Sequence, residues 1–147
     1  MTDDNGQNIA IGTDIVEIDR FRDLELESPF YERVFTANEL EYCRGFQDPF
    51  PHYATTFAGK EAVVKATTSN CSITLDNVEI LRNEDGAPYV VIHKSCNHDI
   101  YVSLSHSSSY AVAVALAVHQ SYASNMSKLQ GILEETVKQI LPKGEVS

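Results

Sequence analysis

Short stretches in which apolar and polar residues alternate are spread along most of the chain, and they predict β-strands. Strands are predicted at residues 9–18, 74–82, 88–92, 100–105 and 110–118, the last of them as a fully buried strand. Residues 83–86, Asn-Glu-Asp-Gly, predict a hairpin turn, and the polar residues 105–109 predict a tight turn between the last two strands. Neighbouring strands joined by short turns indicate an antiparallel sheet.

Helical spacing and capping residues predict the helices. Ser28 before Pro29 marks one helix start, and Thr36 with Glu39 three residues later forms a capping-box pattern at another. The longest helix is predicted from near residue 52 to about residue 68, with alanines on one face at positions 58, 62 and 66. From residue 125 to residue 141, apolar residues at helical spacing predict a C-terminal helix that packs on the core or on a neighbouring subunit.

These elements predict an α+β fold, in which an antiparallel sheet packs on the long central helix and an extra helix follows at the C-terminus. The chain has 147 residues, of which 43% are hydrophobic and 22% charged, as expected for a globular domain with a sizeable core. We expect residues 1–120 to form this domain and residues 121–147 to form an amphipathic C-terminal extension.

The net charge of −10 argues against broad binding of nucleic acids or anionic membranes, because the summed field of the protein repels polyanions. Three cysteines, odd in number and far apart, make a disulfide framework unlikely and favour a reducing compartment. A polar segment at residues 1–8 and the lack of an apolar run long enough to span a bilayer complete the prediction of a cytoplasmic protein. Residues 93–98 include two histidines and a cysteine, but we predict a polar surface loop there rather than a metal site.

Candidate catalytic residues lie on the central helix, the first strand and the last turn. Glu61 and Lys65 stand four residues apart with Lys60 beside them, which suits a metal ion bound to phosphate or simply a helical ion pair. Asp14 lies among apolar residues of the first strand, either as an exposed carboxylate or as a metal ligand. His106 is either held by the neighbouring serines of its turn or functional.

Three motifs stand in a fixed order along the chain. They are Gly-Thr-Asp-Ile-Val-Glu-Ile at residues 12–18, Phe-Ala-Gly-Lys-Glu-Ala at 57–62 followed by Lys-Ala at 65–66, and Ser-Leu-Ser-His at 103–106 running into Tyr-Ala-Val-Ala at 110–113. Each motif alone is weak, whereas their order and separations make the combination specific. In this combination, which covers residues 9 to about 118, the chain resembles the small, single-domain phosphopantetheinyl transferases, the holo-acyl-carrier-protein synthases.

The resemblance implies an enzyme that moves the phosphopantetheine arm of coenzyme A onto a serine of an acyl or peptidyl carrier protein and releases adenosine 3′,5′-bisphosphate. By the same resemblance, Asp14 and Glu61 would hold Mg²⁺, a hard cation that prefers carboxylate oxygens. Lys65 would reach the phosphates, with Lys60 as a second candidate. Either Glu61 or a metal-bound water would take the proton of the attacking serine.

The resemblance also implies contacts beyond the reacting atoms. Ser105, His106 and Ser107 would contact the nucleotide end of coenzyme A, and Arg20 and Arg22 would face the carrier protein; a solvated charged loop explains the two arginines equally well. Members of this family are typically homotrimers with sites between subunits, so that the site residues would come from two chains.

The chain departs from the family pattern at two places. Thr56 stands where the family usually has an arginine, and residues 67–70, Thr-Thr-Ser-Asn, stand where it generally has a Gly-Thr-Gly turn. These departures favour an alternative, a catalytically impaired family member that serves as a carrier-binding or assembly subunit. A third hypothesis is a Mg²⁺-dependent nucleotide hydrolase. The presence of Asp14, Glu61, Lys65 and His106 favours the active transferase.

Overall fold

The computed structural model describes residues 8–140, without the side chains of residues 123–130. Along this part of the chain, the elements are β1 (Ile9–Glu17), α1 (Asp19–Arg22), α2 (Pro29–Val34), α3 (Ala37–Arg44), α4 (Phe50–Thr67), a 3₁₀ turn (Leu75–Asn77), β2 (Val78–Arg82), β3 (Pro88–Ile92), β4 (His98–His106), β5 (Tyr110–His119) and α5 (Gln120–Ile140). Ser28 caps α2, and Thr36 with Glu39 forms the capping box of α3. Both helices therefore begin where their caps predicted.

The strands form two antiparallel sheets. β1, β5 and β4 pair in that order, and β2 pairs with β3 in a separate hairpin. The 18-residue helix α4 packs across the three-stranded sheet and also contacts β2. The predicted α+β fold, with an antiparallel sheet on a long central helix, is confirmed, although hydrogen bonding divides the strands into two sheets.

β5 shows which side of the larger sheet faces the core. Its alanines at positions 111, 113, 115 and 117 are buried, whereas Val112 and Val114 on the other side are 41% and 44% exposed. The prediction of a fully buried strand was therefore wrong. Alanine and valine are both apolar, so the hydrophobic pattern does not show that only the smaller residues face α4.

The side of the larger sheet that faces away from α4 is open and apolar, and we call it the outer sheet face. Its large exposed residues are Ile9, Ile11, Ile15, Tyr101, Tyr110, Val112 and Val114. Ile11 and Ile15 alone are 68% and 65% exposed. An apolar surface of this kind marks an interaction site in many proteins.

Two element boundaries differ from the predictions. The strand predicted from residue 74 begins at Val78, because a 3₁₀ turn precedes it. The C-terminal helix begins at Gln120, directly after β5, and its predicted end at residue 141 lies outside the described residues. Between Gly131 and Ile140 every residue of α5 is exposed, so this part does not pack on the core of its own chain. None of the described helices has the length and apolar content of a membrane span.

The turn after α4 explains how the chain dispenses with the glycines of the family pattern. Among the described residues, Ser72 is the single non-glycine residue with a positive φ, +49°. The left-handed conformation is therefore reached two residues beyond Asn70, and residues 67–70 need no glycine. Lys94 donates a hydrogen bond of 2.9 Å to the carbonyl oxygen of Ser72 and holds the turn there.

Cys71, in the same turn, forms a disulfide with Cys96 in the loop between β3 and β4. The prediction that disulfides are unlikely missed this pair, since the fold brings α-carbons that are 25 residues apart in sequence to within 5.4 Å of each other. Cys43 stays free, and burial raises the pKa of its thiol to about 11. Because two of the three cysteines are paired, the cysteine content no longer favours a reducing compartment. With His98 the two sulfurs could form a metal site, but sulfurs joined to each other are not thiolate ligands.

Candidate active site

The close contact between β1 and α4 decides where Asp14 lies. A Cβ atom at Gly12 would collide with the carbonyl oxygen of Ala62 and lie 2.8 Å from the amide nitrogen of Ala66, so only glycine allows the strand this near the helix. Asp14 follows two residues later on the same side of β1, and its side chain is 17% exposed. The sequence thereby places a carboxylate against the second half of α4.

Asp14, Glu61 and Lys65 form one polar group, which we call the carboxylate cluster. The Nζ atom of Lys65 lies 3.1 Å from Oδ1 of Asp14 and donates a hydrogen bond of 2.9 Å to the carbonyl oxygen of Thr13. Burial raises the pKa of Glu61, the charge of Asp14 raises it further, and Lys65 opposes both effects. The ammonium group of Lys65 therefore partly offsets the charge of both carboxylates.

The donor set of the carboxylate cluster fits a hard divalent cation. Burial is the main cause of the raised pKa of Glu61, and repulsion from Asp14 adds to it; a divalent cation between the two carboxylates would remove that repulsion. Mg²⁺ is bound in proteins by one or two carboxylates together with water and substrate phosphates. Asp14 and Glu61 are thus the residues that would hold it, with Lys65 as a further positive charge for a phosphate.

A second group of polar and aromatic side chains surrounds His106 at the end of β4. The ring of His52 lies 6.0 Å from that of His106 and stacks on Phe46 at 3.5 Å between ring centres. Tyr42 lies 6.0 Å from His52, and the guanidinium carbon of Arg82 lies 4.8 Å from the Tyr42 ring centre. We call His52, His106 and Arg82 the histidine cluster.

The electrostatics of the histidine cluster favour an anion. Burial lowers the pKa of His52, and the charges of His106 and Arg82 lower it further, while Asp48 opposes them. A histidine whose pKa is lowered by cationic neighbours lies in a region of positive potential. A bound phosphate would be stabilised by the same potential.

Sequence reasoning found His106 but missed His52 and Arg82. The signal in the sequence that could have pointed to a further cation was Thr56. The family usually has an arginine at this place, and its loss suggests that another cation takes over its role. Thr56 is only 1% exposed, and its hydroxyl oxygen lies 3.8 Å from the sulfur of Cys43, so it faces the contact between α3 and α4. Arg82 reaches the cluster through the fold of β2, which local sequence patterns do not show.

The two clusters lie at opposite edges of the larger sheet, because β1 and β4 flank β5 on either side. On α4, His52 and Glu61 are nine residues apart, which corresponds to about 13 Å along the axis and to opposite sides of the helix. The structure thus brings Asp14, Glu61 and Lys65 together but does not bring His106 to them within one chain. A ligand that contacts both clusters either spans the sheet or lies between two copies.

The two serines predicted to share a ligand with His106 occupy different positions. The hydroxyl oxygen of Ser107 accepts hydrogen bonds from the amides of Ser109 and Tyr110 at 3.2 and 3.1 Å, so it holds the turn in shape. Ser105 precedes His106 on β4 and points to the outer sheet face, since successive strand residues alternate. Within one chain, Ser105 and His106 therefore face opposite sides of the sheet, and their contact with the nucleotide end of coenzyme A stays a prediction.

Lys60 is placed differently from its neighbour Glu61. Its side chain is fully buried, and its Nζ atom lies 2.8 and 3.2 Å from the two carboxylate oxygens of Glu39. The other bonds of that carboxylate hold the amides of Thr36 and Ile80. A buried and fully engaged ammonium cannot reach a phosphate, so the structure corrects the prediction that Lys60 binds coenzyme A.

The two arginines predicted to face a partner lie in different surroundings. Arg22 forms a two-pronged ion pair with Asp48 at 2.6 and 3.1 Å while 40% of its side chain is exposed, and its contact with a partner stays a prediction. Arg20 lines a cleft of about 250 Å³ together with apolar side chains. These are Phe21, Leu24, Phe30 and Phe57.

Comparison with known proteins identifies the family. The family model of the 4′-phosphopantetheinyl transferase superfamily matches residues 10–115. The holo-acyl-carrier-protein synthase of Thermodesulfovibrio yellowstonii is 41% identical over 106 residues, which cover 71% of this chain and 93% of that protein. The enzyme of the same name from Aquifex aeolicus is 41% identical over 115 residues, covering 71% of this chain and 94% of that protein.

Solved structures with the same fold agree with this result. A holo-acyl-carrier-protein synthase from Bacillus anthracis, in complex with coenzyme A (3′,5′-ADP), superposes with a TM-score of 0.65 at 29% identity and covers 75% of this chain and 96% of its own. The Helicobacter pylori enzyme in complex with coenzyme A gives a TM-score of 0.65 at 28% identity, with coverages of 73% and 98%. The chain therefore belongs to the 4′-phosphopantetheinyl transferase superfamily, as an enzyme of the holo-acyl-carrier-protein synthase type.

Proposed function

We propose that this enzyme transfers the phosphopantetheine arm of coenzyme A to a serine of an acyl or peptidyl carrier protein in a Mg²⁺-dependent reaction, and that adenosine 3′,5′-bisphosphate leaves. The observation that supports this most directly is the carboxylate cluster, in which Asp14 and Glu61 converge on Lys65 at the contact of β1 with α4. Relatives with this fold bind coenzyme A, as in the Bacillus anthracis and Helicobacter pylori structures.

In the proposed reaction, the serine oxygen of the carrier forms a bond to the β-phosphorus of coenzyme A while the bond from that phosphorus to the bridging oxygen breaks. Either Glu61 or a metal-bound water takes the serine proton. Lys65 holds Asp14 in place and offers a charge to the phosphates. When bound by Asp14 and Glu61, Mg²⁺ would neutralise charge on the pyrophosphate.

We propose that the histidine cluster binds the phosphate on the ribose of coenzyme A. His52, His106 and Arg82 supply the positive potential for a dianionic group, and Phe46 offers an aromatic surface beside it. Because this cluster and the carboxylate cluster lie at opposite sheet edges, the proposal includes a homotrimer in which each site takes one cluster from each of two chains.

We propose that the carrier protein docks at the cleft beside Arg20. Carrier proteins are usually acidic, and this chain carries a net charge of −10, so their association needs a local positive charge. Arg20 supplies one at the rim of an apolar cleft, which would accept a hydrophobic side chain of the carrier.

The proposed function is tested by intact-mass analysis of apo carrier proteins after incubation with the enzyme, coenzyme A and Mg²⁺. The wild type is expected to add one phosphopantetheine arm, and Asp14→Asn is expected to lower kcat/KM by at least about a hundredfold, as loss of one transition-state contact does. Glu41→Gln, which removes an exposed carboxylate on α3, serves as the matched control and should retain full activity.

Absence of any mass gain, while a carrier still binds, would instead support the non-catalytic carrier-binding subunit. Release of adenosine 3′,5′-bisphosphate from coenzyme A without a carrier would support the hydrolase. Equal activity of wild type and Asp14→Asn would remove the carboxylate cluster from the mechanism.

A further inference from the structure

The helix α5 presents an apolar face that no other described residue of its own chain covers. The exposed fractions of Ile132, Leu133, Val137 and Ile140 are 61%, 64%, 51% and 75%. The family model ends at residue 115, so α5 lies beyond the part of the chain shared with the superfamily. The face is therefore a feature that this chain adds to the fold.

The sequence of α5 follows a heptad repeat. Alternating steps of four and three residues connect Tyr122, Met126, Leu129, Leu133, Thr136 and Ile140. This spacing forms the seam of a coiled coil, in which each seam residue packs between residues of a neighbouring helix. The 21 residues of α5 give a rod of about 31 Å, long enough for three heptads.

The distribution of charge on α5 points to association with identical helices. Its four charged residues are Lys128, Glu134, Glu135 and Lys138, and all of them fall on the three heptad positions farthest from the seam. The positions that flank the seam are uncharged, and two of them are Ile132 and Val137. Copies of a chain with a net charge of −10 would thus meet without repulsion along the seam.

Thr136 is a polar residue of the seam, and its hydroxyl group forms a hydrogen bond within its own helix. The hydroxyl group of Thr136 donates a hydrogen bond of 2.7 Å to the carbonyl oxygen of Ile132, so its methyl group remains for packing. The base of α5 is anchored, because Asn8 bonds the hydroxyl of Tyr122 at 3.2 Å and the amide of Gln120 bonds the carbonyl oxygen of Asn97. The helix therefore projects from a fixed point on the sheet.

We propose that α5 forms a parallel three-helix coiled coil with the α5 helices of two further copies of this chain. The number three rests on the homotrimer of the proposed function, and cyclic symmetry makes the three helices parallel. The apolar stripe of α5 is wide, because it includes positions that flank the seam, and a wide stripe favours coiled coils of more than two helices. The charges of the polar side sum to zero, which matches neither an acidic carrier nor an anionic membrane surface.

Cross-linking in the full-length protein tests this partner directly. In a parallel, in-register bundle, Leu133 side chains of neighbouring copies meet, whereas Lys138 side chains point outward. Under mild oxidation with copper phenanthroline, Leu133→Cys is expected to form covalent dimers of the chain at least about tenfold faster than Lys138→Cys, with the wild type as the baseline for native cysteines. Equal rates for the two variants would overturn the proposal.

Sedimentation equilibrium gives an independent measurement. Leu133→Asp places a carboxylate in the seam and is expected to raise the concentration at which the oligomer dissociates by at least about tenfold. Gly131→Asp adds the same group on the outward side and should leave that concentration unchanged. A Leu133→Asp variant that sediments as the wild type does would show that the face packs on something other than α5 of another copy. Activity is not the readout, so failure here leaves the proposed transferase untouched.

Discussion

Glu61 is the residue whose ionisation reports on cation binding most directly. Burial and the charge of Asp14 raise its pKa, so the folded protein holds this proton more tightly than the unfolded chain does. Ionised Glu61 therefore lowers stability at neutral pH, and this penalty is relieved as the pH falls through the folded pKa. A cation bound by Asp14 and Glu61 would relieve it at neutral pH instead.

We expect Glu61→Gln to raise the melting temperature relative to the wild type at about pH 7.5 without divalent cations, and the difference to shrink towards about pH 4.5. Millimolar Mg²⁺ should raise the melting temperature of the wild type at neutral pH but not that of Glu61→Gln. Calorimetry measures both effects, with Glu41→Gln as the control for loss of an exposed carboxylate. Equal stabilisation of all three proteins by Mg²⁺ would place the cation elsewhere.

We propose that Arg82 supplies, in the nucleotide site, the positive charge of the arginine that usually stands in this family where this chain has Thr56. A charge-assisted hydrogen bond to phosphate contributes about 1.5–3 kcal/mol, so Arg82→Ala should raise the KM for coenzyme A about tenfold to a hundredfold. With 3′-dephospho-coenzyme A, which lacks the ribose phosphate, the same variant should match the wild type.

The comparison of the two substrates separates a phosphate contact from a structural defect. Arg33→Ala removes an exposed arginine on α2 and should leave both KM values unchanged. If Arg82→Ala raises the KM for both substrates equally, Arg82 stabilises the fold of the site and does not bind the ribose phosphate.

At the residue scale, the sequence predicted the carboxylate cluster, which depends on one contact between β1 and α4. It missed most of the histidine cluster, whose residues come together only through tertiary packing. Glu61 and Lys65 share a helix face, and Gly12 sets the strand of Asp14 against that face. Lys60 was misassigned because adjacent helix residues point in directions about 100° apart, and the sequence does not tell which direction is buried. Arg82 could not be predicted, since β2 reaches the histidine cluster only through tertiary packing.

At the scale of elements, the buried pair of Lys60 and Glu39 joins α3, α4 and β2. Both side chains are fully buried, and Glu39 also bonds the amide of Ile80 at 2.9 Å and that of Thr36 at 3.0 Å. The carboxylate thus caps α3, anchors β2 and neutralises a charge on α4 at once. Removing the ammonium would leave it buried without its counter-charge.

Lys60→Met should therefore lower the free energy of unfolding by about 3–5 kcal/mol, the usual cost of breaking a buried ion pair from one side. The double variant Lys60→Met with Glu39→Gln should recover part of that loss, because no charge is then left in the core. Urea denaturation measures both. A Lys60→Met protein as stable as the wild type would mean that water reaches Glu39.

The elements themselves were predictable to different degrees. Alternation and capping residues gave the fold class and the starts of α2 and α3, because both are local signals. The open side of β5 was missed, since Val112 and Val114 are as apolar as buried residues and only their contacts tell them apart. The disulfide of Cys71 with Cys96 was missed for the related reason that its two ends meet only in the fold.

At the scale of the whole molecule, two apolar surfaces are exposed in the part of the chain that the structure describes: the outer sheet face and the apolar face of α5 between Ile132 and Ile140. A soluble monomer rarely exposes large contiguous apolar patches. The proposed homotrimer with joined helices would cover both surfaces, and the opposite positions of the two clusters fit sites that lie between chains. The trimer would thus explain the exposed surfaces and the divided site together.

Mixing two impaired variants tests the shared site. Asp14→Asn removes a carboxylate from the carboxylate cluster and His106→Ala removes a cation from the histidine cluster, so both homo-oligomers should have low activity when the coenzyme A concentration is well below its KM. In trimers reassembled from equal amounts of both, about one quarter of the interfaces would pair an intact carboxylate cluster with an intact histidine cluster from the next chain. We therefore expect the mixture, unfolded and refolded together, to regain about a quarter of the wild-type activity in the carrier mass assay. If both clusters of one chain serve the same site, no mixture contains an intact site, and activity will stay at the level of the separate variants.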